Sequence, residues 1–403
     1  MTATTEEQCI RRSRQPAVLT HAFRPMFLAA GIWAIVAIAV WLAIFLGYFR
    51  LPTRFDPLGW HIHEMLFGFV LAAIAGFLLT AIPNWTGRLP VRGRPLALLA
   101  GLWLLGRVTC LISADLPAWL AVAADLSFPV VLLAVAAREI IVGRNWRNLP
   151  VTAPLAVFIV GDLLMHLESL DMPVPSGLGW RLGLAAPILL ISVIGGRIIP
   201  SFTRNWLLKR HSARLPAAHG AVDSAAVILL GAGLFLWAAL PEFPAAGVIL
   251  VIAAIINAWR LARWAGGATG AEPLLLILHV GYGWMVIGTA LLGLSILDAG
   301  VPMASAIHAL TVGAIGTMIL AVMPRVTLGH TGRELTANRV TVAIFVLINA
   351  AAITRVCASW QPDGMMILLA LSVGCWIAAF GLFEIVYGPM LLTRQPTRSG
   401  RSP

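Results

Sequence analysis

Two histidines and a glutamate, His61, His63 and Glu64, stand at the start of an apolar stretch that runs to Pro83 without another charged residue. Ionisable groups at membrane depth are costly and usually mark a functional site. On a helix, side chains two residues apart project about 200° from each other. We therefore predict that the two imidazole rings face different neighbours or different cofactors rather than forming one chelate. The alternative is a paired, structural histidine at the membrane interface.

The other histidines fall at two depths when each is measured along its apolar segment at about 1.5 Å per residue. His308 and His166 belong to the same outer half of the membrane as His61 and His63. Neutral imidazole is the commonest metal ligand and suits copper, zinc and haem iron. Convergence of these rings would therefore create a redox metal centre. An inner tier contains His21, His279 and His330.

Two arginines, Arg107 and Arg355, occupy equivalent outer positions in the third and eleventh apolar segments. A buried haem b needs axial histidines, an apolar slot between helices and cations for its propionates. Either arginine could pair a propionate bidentately. The alternative is that both side chains extend to the membrane interface to keep their charge in water.

Three carboxylates are candidates for proton transfer or for holding a histidine ligand. Asp125 and Asp162 fall near the middle of the fourth and fifth segments, and Glu64 stands at the outer mouth of the second. Glu64 could accept the N–H of a ligating histidine or relay protons. The aspartates could instead be neutral or paired.

These residues must be positioned by a membrane-embedded helical bundle. The chain has 403 residues, of which 60% are hydrophobic and 11% are charged. Apolar runs of about 20 residues, the length that spans the hydrocarbon core, recur from end to end. We predict an all-α polytopic membrane protein with twelve transmembrane helices, at about 26–49, 60–83, 95–112, 117–137, 149–169, 178–199, 221–240, 244–262, 273–297, 302–324, 339–358 and 364–390.

The distribution of basic residues predicts the orientation. Lysine and arginine concentrate in the N-terminus, the C-terminal tail and the loops after even-numbered segments, whereas the other loops contain only Arg50 and Arg54. By the positive-inside rule, both termini are cytoplasmic. The net charge of +11 is thus explained by topology, so the expected partner is the lipid bilayer and not nucleic acid. We predict a cytoplasmic segment over 1–25, one transmembrane domain over 26–391 and a cytoplasmic tail over 392–403.

A proline motif recurs at three helix ends. An apolar residue, proline, two further residues and threonine occur around Pro83, Pro200 and Pro324, in segments 2, 6 and 10. Such spacing indicates three four-helix units, over about 26–137, 149–262 and 273–391. A pseudo-threefold arrangement of twelve helices is typical of the catalytic subunits of haem–copper oxidases, which is an analogy of fold alone.

Several motifs together resemble the NnrS family of bacterial inner-membrane proteins. The resemblance implies a haem- and copper-containing protein of the nitric-oxide and nitrosative-stress response, often accompanying denitrification. It also implies that His21, His61, His63, His279, His308 and His330 are candidate ligands. Of these, we predict His61, His63 and His308 as metal ligands. The motifs are 21–27 (HAFRPMF), 60–68 (WHIHEMLFG), 83–87 (PNWTG), 195–205 (GGRIIPSFTRN), 308–314 (HALTVGA) and 329–333 (GHTGR).

Three functions are compatible with this sequence. The first is binding or turnover of nitric oxide, or relief of its damage; an enzyme of this kind would be an oxidoreductase supplied by a separate electron donor, a quinone or a cytochrome. The second is a membrane transporter, although carriers usually have two-unit repeats. The third is a non-catalytic haem-based sensor or assembly factor. The four cysteines include no C-x-x-C-H motif, which argues against covalently attached haem.

Overall fold

The computed structural model describes residues 16–394. The rest of the predicted cytoplasmic termini, residues 1–15 and 395–403, lies outside the described residues. Within 16–394 the chain is helical and contains no strands, which confirms the predicted fold class. Twelve helices are long and apolar enough to cross a membrane: α1 Phe23–Phe45, α2 Pro57–Thr86, α3 Arg94–Leu111, α4 Ala118–Val142, α5 Trp146–Ser169, α6 Leu178–Leu208, α7 Ala221–Ala239, α8 Pro244–Ala268, α9 Pro273–Ile296, α10 Met303–His330, α11 Arg339–Ala358 and α12 Pro362–Leu392.

The three proline motifs lie inside helices and not at their ends. The sequence pattern ended α2, α6 and α10 at residues 83, 199 and 324, but each helix continues for at least three residues beyond its proline. Proline removes one backbone hydrogen bond without preventing the helix from resuming. In α2 and α10 the threonine three residues after the proline donates its hydroxyl to the carbonyl just before that proline.

The helices contact one another in a pattern that recurs every four helices. In each group of four, the first helix contacts the second, the third contacts the fourth, and the fourth contacts the first helix of the next group, so that α12 closes on α1. The helices α2, α6 and α10 also contact each other at the centre. Three units around a pseudo-threefold axis would produce this pattern. The unit boundaries themselves stay a prediction.

Each of the three central helices contains a π-helical segment. These segments are Glu64–Val70 in α2, Ile191–Gly195 in α6 and Ala309–Gly316 in α10. Their i→i+5 hydrogen bonds widen the helix locally, and such segments occur frequently at functional sites. In α2 and α10 the widened turns begin directly after His63 and His308. The π segments therefore set the direction in which the outer histidines project.

Candidate metal and cofactor sites

His61 and His63 project to different sides of α2, as their spacing predicts. His61 lines a cavity together with residues of α1, α10 and α11. His63 is fully buried and contacts carboxylates of α4 and α5. The outer histidines therefore belong to two separate sites, and His308 joins the first of them.

The cavity has a volume of about 460 Å³, within the range of about 300–1,000 Å³ that is usual for small-molecule and cofactor sites. Its walls are mostly aliphatic and aromatic side chains from α1, α2, α6, α10 and α12. Its polar lining includes His61, His308 and Arg355. It is thus an apolar chamber with two imidazoles and one guanidinium.

Hydrogen bonding leaves a ring nitrogen available on both imidazoles. The Nδ1 of His308 lies 2.7 Å from the carbonyl oxygen of Ala304. Because a carbonyl only accepts, Nδ1 carries the proton and Nε2 keeps its lone pair. His61 packs against Trp41, with ring centroids 4.4 Å apart, and its buried Nδ1 has no hydrogen-bond partner. Both rings can therefore offer a nitrogen to a metal.

The second site is a buried cluster between α2, α3, α4 and α5. The Nε2 of His63 lies 2.9 Å from Asp162 Oδ1 and 3.0 Å from Asp125 Oδ2. The Nε2 of His166 lies 2.9 Å from the same Asp125 Oδ2. The Nδ1 of His63 lies 3.2 Å from Glu64 Oε1. These five residues, together with Arg107 and Cys110 of α3, form the His63 cluster.

Arg107 and Cys110 complete the His63 cluster from α3. Arg107 donates to Glu64 Oε1 at 2.8 Å and also pairs with Asp125. Cys110 is buried, and its sulfur lies within 4.8 Å of ligand atoms of His63, Asp125 and His166. The carboxylates that the sequence suggested for proton transfer are therefore paired.

The two arginines that the sequence treats as equivalent have different surroundings. Arg107 is 3% exposed and engaged by two carboxylates. Arg355 lines the cavity and, among residues 16–394, forms no ion pair with a carboxylate; its nearest polar partner is the Ser359 hydroxyl at 3.4 Å. Arg355 is therefore the arginine that can meet an anionic group in the cavity.

The inner histidines do not join either outer site. The rings of His21 and His330 have centroids 6.5 Å apart. Burial, and then the charges of His330, Arg24 and Arg92, lowers the pKa of His21, which favours the neutral imidazole. The Nε2 of His279 lies 2.9 Å from the hydroxyl of Thr203. Their candidacy as ligands stays a prediction.

The sequence placed His166 in the outer tier of histidines but outside the family motifs, and it gave Cys110 no site role. A signal for His166 was present, because Asp162 and His166 are four residues apart and hence share one helix face. The sequence also gave no sign of a second buried ion pair, in which Arg260 of α8 donates to Asp223 Oδ1 of α7 at 2.9 Å. Arg260 further donates to the Ser192 carbonyl and to the Tyr282 hydroxyl, both at 3.0 Å.

A glycine makes room for the His63 cluster. A Cβ placed on Gly106 of α3 would lie 2.5 Å from Asp125 Oδ1. We expect Gly106→Ala to destabilise the protein by about 1–3 kcal/mol, the usual cost of overpacking a filled interior. Gly101→Ala on the same helix is the matched control, since its added Cβ meets nothing within 4 Å. Thermal unfolding in detergent measures both, and equal midpoints would contradict the expectation.

The helices and the two outer sites define a polytopic, all-helical membrane protein with imidazoles and carboxylates buried between its helices. The family profile described as NnrS protein matches residues 17–395. The chain therefore belongs to the NnrS family, and this membership suggests a role in the nitric-oxide response. No curated protein matches the chain.

Proposed function

We propose that this protein binds haem b in the cavity between α2 and α10, together with copper, and that it binds or turns over nitric oxide in the bacterial inner membrane. The observation that carries the proposal is the pairing of His61 and His308 in one apolar chamber, each with a ring nitrogen unused by the protein. The family supplies the link to nitric oxide. The charge distribution supports cytoplasmic termini.

The residues of the cavity fit a haem. Axial imidazole, an apolar slot and a cation for the propionates are the groups that haem requires, and His61, His308 and Arg355 provide the polar part of that set. The Ala304 carbonyl fixes the tautomer of His308, and such a partner also orients a ligating ring. Arg355 has no competing carboxylate among the described residues.

Each group of residues would have a distinct role in holding the haem. His308 and His61 would hold the iron, Arg355 would neutralise a propionate, and the aliphatic walls would exclude water. When bound, haem would supply one-electron chemistry and an iron that nitric oxide could ligate by replacing one of the two imidazoles. For turnover, electrons would come from a separate quinone or cytochrome. Copper would need further ligands, and His63, on the other side of α2, is a candidate.

We expect His308→Ala and His61→Ala each to lower the haem content of purified protein at least several-fold, because axial ligation anchors the group. The pyridine haemochrome of detergent-purified protein measures it. His211→Ala is the control, since that exposed histidine lies outside the cavity. Full haem content in both cavity variants would contradict the haem assignment.

Binding and turnover of nitric oxide are separated by a second measurement on the same protein. A shift of the Soret band on addition of nitric oxide, lost in His308→Ala, supports binding. Consumption of nitric oxide only with an added electron donor supports turnover. Haem-loaded protein that shows neither response would contradict the proposed function.

A further inference from the structure

The His63 cluster contains more buried negative charge than the protein neutralises. Glu64, Asp125 and Asp162 are at most 1% exposed, and the cation that pairs with them is Arg107. With neutral imidazoles the cluster carries a charge of −2. Uncompensated charge in a protein interior is strongly unfavourable. Carboxylates or histidines of the cluster must therefore be protonated, or a cation must enter it.

The ligand atoms already converge on one point. The Nε2 atoms of His63 and His166 lie 3.0 and 2.9 Å from a single oxygen, Asp125 Oδ2. Nitrogen and oxygen atoms bound about 2.0–2.1 Å from one tetrahedral zinc-class ion lie about 3.3 Å apart. The observed contacts need to open by only a few tenths of an ångström to admit an ion. The Cys110 sulfur is within 4.8 Å of these atoms.

Unpartnered oxygens provide an independent indication. Glu64 Oε2 and Asp162 Oδ2 have no hydrogen-bond partner. Water cannot replace that partner at the surface, because the two residues are only 0% and 1% exposed. Buried polar atoms without partners are uncommon and often indicate an ion or water. Phe55 stacks on His63 with ring centroids 4.6 Å apart, and Phe67 lies 5.3 Å away. The cluster is thus enclosed by aromatic rings.

We propose that the His63 cluster is a binding site for one divalent first-row transition-metal ion, with His63, His166, Asp125 and Cys110 as ligands. Cys110 would ligate as the thiolate, so a divalent ion reduces the net charge of the cluster from −3 to −1 while the imidazoles stay neutral, the form that ligates. Two nitrogens, a sulfur and a carboxylate oxygen select copper- or zinc-class ions over magnesium or calcium. This site specifies where the copper of the proposed function would bind. It rests on that function only for the identity of the ion.

The test uses Co²⁺, added to chelator-treated, detergent-purified protein whose haem content is measured in parallel. We expect about one equivalent of tightly bound cobalt, with a sulfur neighbour at about 2.3 Å in X-ray absorption at the cobalt edge. Cys110→Ser, a nearly isosteric change, should remove the sulfur neighbour while the protein stays folded. His166→Ala should weaken cobalt binding by at least about 10-fold.

Two controls separate this site from the haem cavity. Cys357→Ser changes an exposed thiol and should bind cobalt as the wild type does, and His308→Ala should lose haem while keeping cobalt. Wild-type protein that retains haem but takes up no cobalt would overturn the metal site and leave the proposed function standing. Cobalt without a sulfur neighbour, or equal binding by wild type and His166→Ala, would overturn the ligand set.

Discussion

Replacing Arg107 by methionine should destabilise the folded protein by about 3–5 kcal/mol, the cost of removing one partner from a buried ion pair. Arg107 pairs with Glu64 and Asp125, which are 0% and 1% exposed. Its loss leaves both carboxylates without the cation and removes the hydrogen-bond donor to Asp125 Oδ1. Methionine keeps an apolar side chain of similar length, so the effect comes mainly from the charge. The midpoint of thermal unfolding in detergent measures it.

Arg138→Met is the matched control for Arg107→Met. Arg138 also pairs with a carboxylate, that of Glu139, but its own side chain is 66% exposed. Exposed pairs contribute about 0–1 kcal/mol. A midpoint for Arg107→Met as high as that of Arg138→Met would show that the buried charges are compensated by other groups.

The helices could be predicted from the sequence because membrane insertion depends on local hydropathy. The start of α9 at residue 273 and both ends of α11 at 339 and 358 agree with the structure. The ends of α2, α6 and α10 were set too early, because a proline was read as a terminus. Continuation past a proline depends on neighbouring helices and threonine hydroxyls, which a local pattern does not contain.

The candidate sites were only partly predictable. The 200° offset between His61 and His63 predicted that the two rings project from different sides of α2. The structure has them on different sides of that helix. Which side faces which helices depends on the π segment after His63, for which sequence gives no reliable signal. His166 lies outside the family motifs, so the resemblance gave it no role, and its contact with Asp125 comes from the packing of α4 against α5. Partners in different helices are fixed by tertiary structure.

The ion pair of Arg260 and Asp223 differs from the His63 cluster in its charge balance. Arg260 is 2% exposed and Asp223 is 5% exposed, and the second cation near the carboxylate, Arg263, is a partly exposed neighbour at 3.7 Å. The carboxylate is already neutralised by one buried guanidinium, so no metal is required. This pair therefore has a structural role in joining α7, α8, α6 and α9.

Arg260→Met should accordingly destabilise the protein by about 3–5 kcal/mol. The amount of haem and of cobalt bound by each folded molecule should not change. Arg263→Met removes the partly exposed partner of the same carboxylate and should cost about 0–1 kcal/mol. Adding Asp223→Asn to Arg260→Met should recover part of the loss, because the double variant no longer buries an unpaired charge. Unfolding midpoints of the wild type, of the single variants Arg260→Met, Arg263→Met and Asp223→Asn, and of the double variant measure this. A loss of haem in folded Arg260→Met would contradict a purely structural role, and additive effects of the two substitutions would show that the pair is not coupled.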